Sequence, residues 1–257
     1  GGAALEDVFT PESISNIALW LKSATNVESD SNFNGSVSYD PVRTVAAGNI
    51  SDNDRVSAWR AAGSTSIDAV QATGGDKPRW NNSETEIKFS NNAKHMQLDS
   101  EITVAANTDF TVVIRFKTLN MSGARALMGD TTSEFLQVQD SDTIRLKTDG
   151  TQTNFDGGTM ATDKYQTLIL VRSDGSTGNI NLFMRGTDSG YFDGTATGTS
   201  FGDEAQDTEQ IKFEFIGSQQ GSNAEFNGFI TDVIIYNGTA VTSVQREQLF
   251  DYIEAAI

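Results

Sequence analysis

Hydrophobic and polar residues alternate along most of the chain. The clearest case is 109–117, DFTVVIRFK, in which four apolar residues at every second position share one face. This pattern predicts a half-buried β-strand. Eight further segments show comparable patterns, namely 55–60, 86–90, 134–139, 143–147, 167–173, 179–185, 211–217 and 229–236.

The segments around these predicted strands are rich in Asn-Gly and Asp-Gly dipeptides, which tolerate positive φ in hairpin turns. The dipeptides begin at Asn34, Asp149, Asp156, Asp174, Asp193, Asn227 and Asn237. Short strands separated by turn signals predict an all-β fold with two packed antiparallel sheets.

Helical patterns occur only near the two ends. Thr10 followed by Pro11 is typical of a helix start, but a β-like ALWLK soon follows, so we expect one short turn there. Near the other end, Thr242 and Gln245 form a capping-box pattern before an apolar stripe. The stripe consists of Leu249, Phe250, Ile253 and Ile257. It predicts a C-terminal helix that docks on the sandwich.

Length and composition fit one domain spanning residues 1–257. The chain has 37% hydrophobic residues, including 15 Phe, which is enough for a sizeable core. Its net charge of −17 opposes binding to nucleic acid or to an anionic bilayer. Because it has no Cys, disulfides and thiolate metal sites are excluded, and no apolar run approaches the roughly 20 residues of a membrane span.

Several segments, in order, resemble one family. The most specific is 225–253, EFNGFITDVIIYNGTAVTSVQREQLFDYI, a long strand followed by a short helix. The others are ISNIALWLKSAT, DRVSAWRAAGS, VQATGGDKPRW, IKFSNNAKHMQLDS, DFTVVIRFK and LILVRSDGSTGNINLFMRG. The chain resembles the concanavalin A-like lectin/glucanase superfamily, specifically its laminin-G-like jelly rolls from bacteria and phages. This resemblance covers nearly the whole chain and implies a jelly roll closed by a C-terminal helix.

Catalytic patterns are missing from the sequence. Glucanases of the resembled superfamily carry E-x-D-x-E on a strand, which places the carboxylates on one face. Here only Asp207 and Glu209 share a face, in a segment expected to be a solvated acidic loop. The GTSFG string at 198–202 matches the G-x-S-x-G elbow of serine hydrolases but lacks an apolar strand before it. We therefore predict no catalytic residues.

Sugar recognition requires an aromatic ring for the apolar face of a pyranose and polar groups for its hydroxyls. The candidates outside the predicted core are Trp80, Phe155, Tyr191 and Phe192. Tyr191 and Phe192 are the most suggestive because they are adjacent in a Gly-rich loop. Trp80 falls where the resembled family has a structural aromatic residue.

Calcium is the one inorganic cofactor that the sequence suggests, although none is required. The acidic Gly-rich loop around Asp188 and Asp193 offers carboxylate oxygens, and relatives of the resembled fold hold calcium at the rim of the sandwich. The lone His95 cannot build a zinc site with nitrogen or sulfur ligands.

These observations predict a non-catalytic carbohydrate-binding or adhesion module that binds a glycan or cell-surface polysaccharide. The alternative is a structural component of a virion or surface layer, associated with a phage capsid or tail and contacting virion neighbours or its own copies. The acidic, Cys-free composition suits a marine phage protein as well as a secreted lectin. A glycoside hydrolase using Asp207 and Glu209 is the third reading. The expected location is extracellular or on the virion surface.

Calcium should raise the melting temperature if Asp188 and Asp193 hold a rim cation. Binding to the native state alone stabilises by about 2.7 kcal/mol at 100 times Kd. Magnesium should do less, because it demands stricter octahedral geometry. Thermal melts with calcium and with sodium chloride of matched ionic strength measure the specific effect. Equal melting curves, or a calcium effect that survives Asp188→Asn with Asp193→Asn, would contradict this site.

Overall fold

Two antiparallel β-sheets and one C-terminal α-helix make up the described part of the protein. The computed structural model describes residues 9–24, 27–29, 50–90, 93–149, 151–186, 199–201, 205–221 and 223–255. Within these residues the predicted two-sheet sandwich with a short C-terminal helix is confirmed. None of the described helices has the length and apolar character needed to cross a membrane.

Nine of the described strands form the first sheet, called sheet A. They are β1 (Ile17–Lys22), β5 (Arg79–Asn81), β6 (Glu86–Phe89), β8 (Phe110–Thr118), β13 (Tyr165–Ser173), β14 (Asn179–Gly186), β15 (Thr199–Ser200), β16 (Ala205–Gln206) and β18 (Gly228–Asn237). The strand order is β15-β14-β13-β8-β18-β6-β5, with β1 also pairing with β18 and β16 with β14.

The other nine described strands form sheet B. They are β2 (Val27–Ser29), β3 (Val56–Trp59), β4 (Ala69–Val70), β7 (Met96–Val104), β9 (Arg125–Thr131), β10 (Glu134–Val138), β11 (Ile144–Thr148), β12 (Thr151–Phe155) and β17 (Ile211–Ile216). Their order is β12-β11-β10-β9-β17-β7-β4-β3-β2. The main core fills the space between the sheets, where Phe116 of β8 and Phe213 of β17 are fully buried.

Strand β8 is buried on both faces, so the prediction of a half-buried strand is wrong. All nine of its residues are buried, including Val113 and Arg115 on the face that points away from the main core. The helix α1 (Ser243–Glu254) covers this face, and Val113, Ile169 and Ile234 form a second apolar cluster with it. The predicted docking of the C-terminal helix is thereby confirmed.

The start of α1 has the predicted capping box. Gln245 N donates to Thr242 Oγ1 at 3.3 Å, and Thr242 N donates to Gln245 Oε1 at 2.9 Å. These bonds satisfy donors that the helix leaves without intrahelical partners. Leu249, Phe250 and Ile253 of the predicted stripe are buried, whereas Ile257 lies outside the described residues.

One arginine of sheet A contacts α1 along much of the helix. Arg185 at the end of β14 contacts three acidic residues on successive turns of the helix, Glu247 at 3.3 Å, Asp251 at 2.7 Å and Glu254 at 3.4 Å. Its guanidinium group also lies 5.0 Å from the centre of the Phe250 ring. This contact fixes the helix direction as well as its position.

The other end of the chain also follows its sequence signals. Pro11–Ser13 form the expected short turn, a 3₁₀ helix, and ALWLK belongs to β1. The long strands β7 and β9 were not predicted. In β7 the polar run 99–101 interrupts the alternation, and β17 pairs with the residues on either side of it, 96–97 and 102–104.

Not every Gly of the predicted turns lies in a turn. Gly228 opens β18, where a Cβ atom would lie only 2.1 Å from the Lys117 carbonyl oxygen. The Asn227-Gly228 pair is therefore needed for close strand approach rather than for a hairpin. Asp174, in contrast, adopts φ of 52° between β13 and β14, as expected for a tight turn.

Leu249→Ala should lower the free energy of unfolding by about 2–5 kcal/mol, because it opens a cavity between α1 and sheet A. Val244 lies on the same helix with 67% of its surface exposed, so Val244→Ala should change stability by less than about 0.5 kcal/mol. Denaturant titrations measure both values. Equal effects of the two variants would contradict the docking of α1.

Candidate functional site

Two of the four aromatic residues predicted to contact sugar lie in the main core. Trp80 of β5 and Phe155 of β12 each have 1% of their surface exposed and belong to the cluster between the sheets. The prediction that both rings lie outside the core is therefore wrong. The segment TNFDGG looked like a loop, but 151–155 pairs with β11 and turns Phe155 inward.

The loop predicted to carry the other candidates lies outside the described residues. This holds for Tyr191 and Phe192 as sugar contacts and for Asp188 and Asp193 as calcium ligands. Their roles stay predictions. In the described part of the chain, no group of three or more His, Asp or Glu residues is arranged to hold a metal ion.

The acidic segment considered for hydrolysis is partly structural. Asp207 is buried, accepts a hydrogen bond from Glu209 N at 2.8 Å and accepts another from the Thr148 hydroxyl, so the expectation of a solvated loop is wrong for Asp207. Within the GTSFG string, Thr199–Ser200 form β15 on β14 rather than a strand-to-helix turn.

A β-bulge in the pairing of β17 with β7 brings an aromatic ring to the outer face of sheet B. Alternation alone would place Phe213 and Phe215 on the same face, but the register shifts between them. Phe213 stays fully buried in the core, whereas Phe215 is half-buried. On the outer face Phe215 pairs with Gln97 of β7 on one side and with Gly129 of β9 on the other.

Polar side chains surround Phe215 on this face. We call the set the outer patch, and it consists of Gln71, His95, Gln97, Asp130, Gln137, Gln139, Glu214, Phe215 and Gln219. Gln97 is exposed, and the half-buried members include His95, Glu214 and Gln219. Gln71, Asp130 and Gln137 are buried. The patch thus combines one accessible aromatic ring with amide and carboxylate groups.

The His95 ring packs edge-on against Phe215, with 5.7 Å between ring centres. The hydrogen bonds fix the orientation and protonation of His95. Thr73 N donates to Gln71 Oε1 at 3.0 Å, so the Gln71 amide nitrogen donates to His95 Nε2 at 3.0 Å. His95 Nδ1 therefore carries the proton and donates to the Ala93 carbonyl oxygen at 2.9 Å.

The amide groups of the patch are also held in fixed directions. Gln219 Nε2 donates to Gln137 Oε1 at 2.7 Å, and Gln137 Nε2 donates to Gln139 Oε1 at 2.7 Å. On the other side of Phe215, Gln97 Nε2 donates to Glu214 Oε1 at 2.6 Å. Such networks hold planar polar groups ready for a ligand and reduce the entropy cost of binding.

The segment 217–221 lies across sheet B at Gly129. A Cβ atom on Gly129 would come 2.7 Å from the Gln219 carbonyl oxygen, so only glycine lets the segment pass this close. Gly221, with φ of 62°, brings the same segment near the His95 ring. The segment therefore forms one wall of the outer patch.

A pair of carboxyl groups lies beside Gln97 in the patch. Burial, together with a hydrogen bond to Glu214 and the charges of Glu101, Glu134 and Glu214, raises the pKa of Asp130 from 3.8 to about 6. Burial likewise raises the pKa of Glu134, although Gln210 and Lys212 oppose this effect. The Asp130 carboxyl therefore holds its proton more tightly than a free aspartic acid does.

Sequence analysis missed the residues of the outer patch. The segment 211–217 was recognised as a strand, and alternation placed Glu214 on its outer face. Nothing in the sequence marked the bulge that adds Phe215 to that face. Asp130 and Gln97 were missed because β9 and β7 were not recognised as strands.

Comparison with protein families identifies the class of the chain. A family model described as the concanavalin A-like lectin/glucanases superfamily matches residues 90–243, which is more than half of the sequence. The chain therefore belongs to the concanavalin A-like lectin/glucanases superfamily, which confirms the resemblance to this superfamily. The bacterial and phage type stays a prediction. No curated protein matches the chain in sequence.

Several solved structures are similar to the chain at low sequence identity. Trypanosoma rangeli sialidase in complex with sialic acid has 16% identity and a TM-score of 0.50, covering 97% of this chain and 34% of the sialidase. The chain thus spans about a third of that enzyme's length. At this identity the similarity shows the fold alone.

Two smaller domains are also similar. Domain 4 of AbnA, a GH43 extracellular arabinanase from Geobacillus stearothermophilus in complex with arabinotriose, has 15% identity and a TM-score of 0.49, covering 91% of this chain and 98% of that domain. The CBM40 of Ruminococcus gnavus IT-sialidase bound to α2,6-sialyllactose has 18% identity and a TM-score of 0.38, covering 56% of this chain and 82% of that domain.

Asp130→Asn should flatten the pH dependence of stability between pH 3.8 and about 6. Folded Asp130 holds its proton more tightly than the unfolded chain does, so the native free energy of unfolding falls as pH rises through this window. Above about pH 6 the stabilising contribution of protonated Asp130 is fully lost. Denaturant titrations at closely spaced pH values measure the difference between the variant and the native protein.

The matched control is Asp174→Asn at an exposed turn. Hydrogen bonds from the Ser176 and Thr177 hydroxyls lower the pKa of Asp174. Its carboxylate therefore stabilises the fold as pH rises, which is the opposite sign. A constant difference in the free energy of unfolding between Asp130→Asn and the native protein from pH 4 to pH 7 would contradict the raised pKa of Asp130.

Proposed function

We propose that the chain is a non-catalytic carbohydrate-binding or adhesion module that binds glycans through the outer patch. The observation that carries this proposal is the half-buried Phe215 ring, bordered by Gln97, Glu214 and Gln219 on the outer face of sheet B. A pyranose places its apolar C–H face on an aromatic ring while its hydroxyls bond to planar polar groups around the ring. Membership of a lectin and glucanase superfamily supports the same ligand class.

The arrangement of the carboxyl groups favours binding over hydrolysis. Retaining glycosidases keep their two carboxyl groups roughly 5–5.5 Å apart, and inverting enzymes keep them farther apart. Glu214 contributes directly to the raised pKa of Asp130, so the two carboxyl groups act on each other rather than standing apart on either side of a glycosidic bond. Their geometry suits a role in receiving sugar hydroxyls.

The charge of the patch favours neutral glycans or amino sugars. Asp130, Glu134, Glu214 and Glu101 lie close enough to influence one another, and Lys212 is already paired with Glu101 at 3.3 Å. A sialylated or uronic acid glycan would bring further negative charge to this surface. The proposed ligand is therefore a neutral or amino-sugar polysaccharide, which implies an extracellular or surface location.

A glycan array with neutral, sialylated, uronic acid and amino-sugar ligands tests this proposal. Phe215→Ala should raise Kd for the strongest ligand about tenfold or more, since it removes the stacking surface. Gln97→Ala should weaken binding as well, because it removes an exposed amide of the patch. Calorimetry measures Kd, and circular dichroism checks that the half-buried Phe215 can be replaced without loss of the fold.

The control is Gln206→Ala, which changes an exposed glutamine in β16 of sheet A and should leave Kd unchanged. Equal effects of Gln97→Ala and Gln206→Ala would contradict binding at the outer patch. An array without any binding, together with ordered self-association of the protein, would favour the structural alternative instead.

A further inference from the structure

A separate pocket lies on the opposite face of the sandwich, beside the C-terminal end of α1. The pocket is shallow, and the space in it together with the open solvent at its mouth is about 370 Å³. Lys22, Asp232 and Tyr165 of sheet A line it together with Glu84 and with Ile253 of α1. The pocket opens on the outer face of sheet A, so it shares no residue with the outer patch.

Three charged residues lie side by side across neighbouring strands at this pocket. Lys22 of β1 pairs in register with Asp232 of β18, and Asp232 pairs with Arg115 of β8. Within the described part of the chain, no ion pair within 4 Å joins Lys22 or Arg115 to Asp232. Asp232 lines the pocket, and no cationic side chain that the structure describes lies within ion-pair distance of it.

Asp232 is deeply buried for a carboxylate that lacks a close ion pair. It has 5% of its surface exposed, and its Oδ1 atom has no hydrogen-bond partner among the described residues. Burial raises the pKa of Asp232 to about 6, against the effects of the Thr231 hydroxyl and the charges of Arg115 and Lys22. A buried carboxylate in this position is stabilised by any donor that reaches it.

Arg115 lies next to the pocket and contacts two of the residues that line it. Its Nη1 atom donates to the Ile253 carbonyl oxygen at 3.2 Å, and its guanidinium group lies 4.6 Å from the centre of the Tyr165 ring. Its Nη2 atom is buried without a hydrogen-bond partner among the described residues. Arg115 therefore holds two walls of the pocket and adds positive charge next to Asp232.

The charges around the pocket select against a charged ligand. An anion would meet Asp232 and Glu84, whereas a cation would meet Lys22 and Arg115. A molecule with neighbouring hydroxyl groups can donate to a carboxylate with one hydroxyl and accept from an ammonium group with the next. The walls contributed by Tyr165 and Ile253 suit its carbon-bound hydrogens.

We propose that this pocket is a second binding site, which takes a single neutral sugar unit or a similar polyol. One hydroxyl of the ligand donates to the Asp232 carboxylate, and its neighbour accepts from Lys22 Nζ. The site is independent of glycan binding at the outer patch. It would give the chain two separate contacts on opposite faces of the sandwich.

NMR titration of the full chain tests the second site. The neutral probes are D-glucose, D-galactose and D-mannose, and the charged analogues are D-glucuronate and D-glucosamine. At least one neutral sugar should cause saturable shifts of the backbone amides at 22–24, 84–85 and 231–232. The Kd of each charged analogue at this pocket should be at least about tenfold higher, because each analogue meets a like charge.

Two variants and one control decide where the shifts come from. Asp232→Asn removes the buried charge with little change of shape, and Lys22→Gln removes the ammonium group from a half-buried position. Each should raise Kd at the pocket about tenfold. Phe215→Ala should leave the pocket shifts intact, since it lies on the other sheet.

The outcomes separate this site from the proposed function. Shifts at the outer patch alone would contradict sugar binding at the pocket and support glycan binding at the outer patch. Shifts at the pocket alone would support the second site and contradict binding at the outer patch. If none of the three neutral sugars gives saturable shifts at the pocket, or the shifts survive in Asp232→Asn and Lys22→Gln, the pocket holds ordered water only and the proposal is wrong.

Discussion

Burial of both faces of the central strands of sheet A is the constraint on which the rest of the structure depends. Strands β8, β13 and β18 carry apolar residues on the inner face and again on the outer face. Burying such a surface stabilises by roughly 25 cal/mol per Å² of apolar area, so the outer face requires a cover. The helix α1 supplies it, and Arg185 fixes the helix direction through three acidic residues.

Because α1 covers only sheet A, the two outer faces of the sandwich differ in how much surface they leave accessible. Sheet A is closed by α1 over most of its centre and leaves a small pocket where the helix ends, next to Asp232. The outer face of sheet B carries a broader polar surface around Phe215. The open surface suits the proposed polysaccharide ligand and the pocket suits the proposed single sugar unit, because shape limits what each surface can contact.

The outer patch depends on backbone irregularity rather than on regular strand geometry. A regular β17 would bury Phe215 together with Phe213, whereas the bulge sends Phe215 outward beside Glu214. Gly129 then lets the Gln219 backbone lie close above the sheet. Bulges often redirect a side chain at a functional site in this way. The fold alone does not define the function, since members of one fold differ in such local features.

The sequence by itself determined the sandwich, the principal strands and the C-terminal helix, because alternation and capping are local patterns that only one kind of element satisfies. It predicted the Thr242 capping box and the burial of Leu249 correctly. Its site prediction failed for Trp80 and Phe155, since a ring in an apparent loop can still face the core. The tertiary structure decided the bulge at Phe215 and the meeting of Lys22 with Asp232, because both depend on the register of strands distant in sequence.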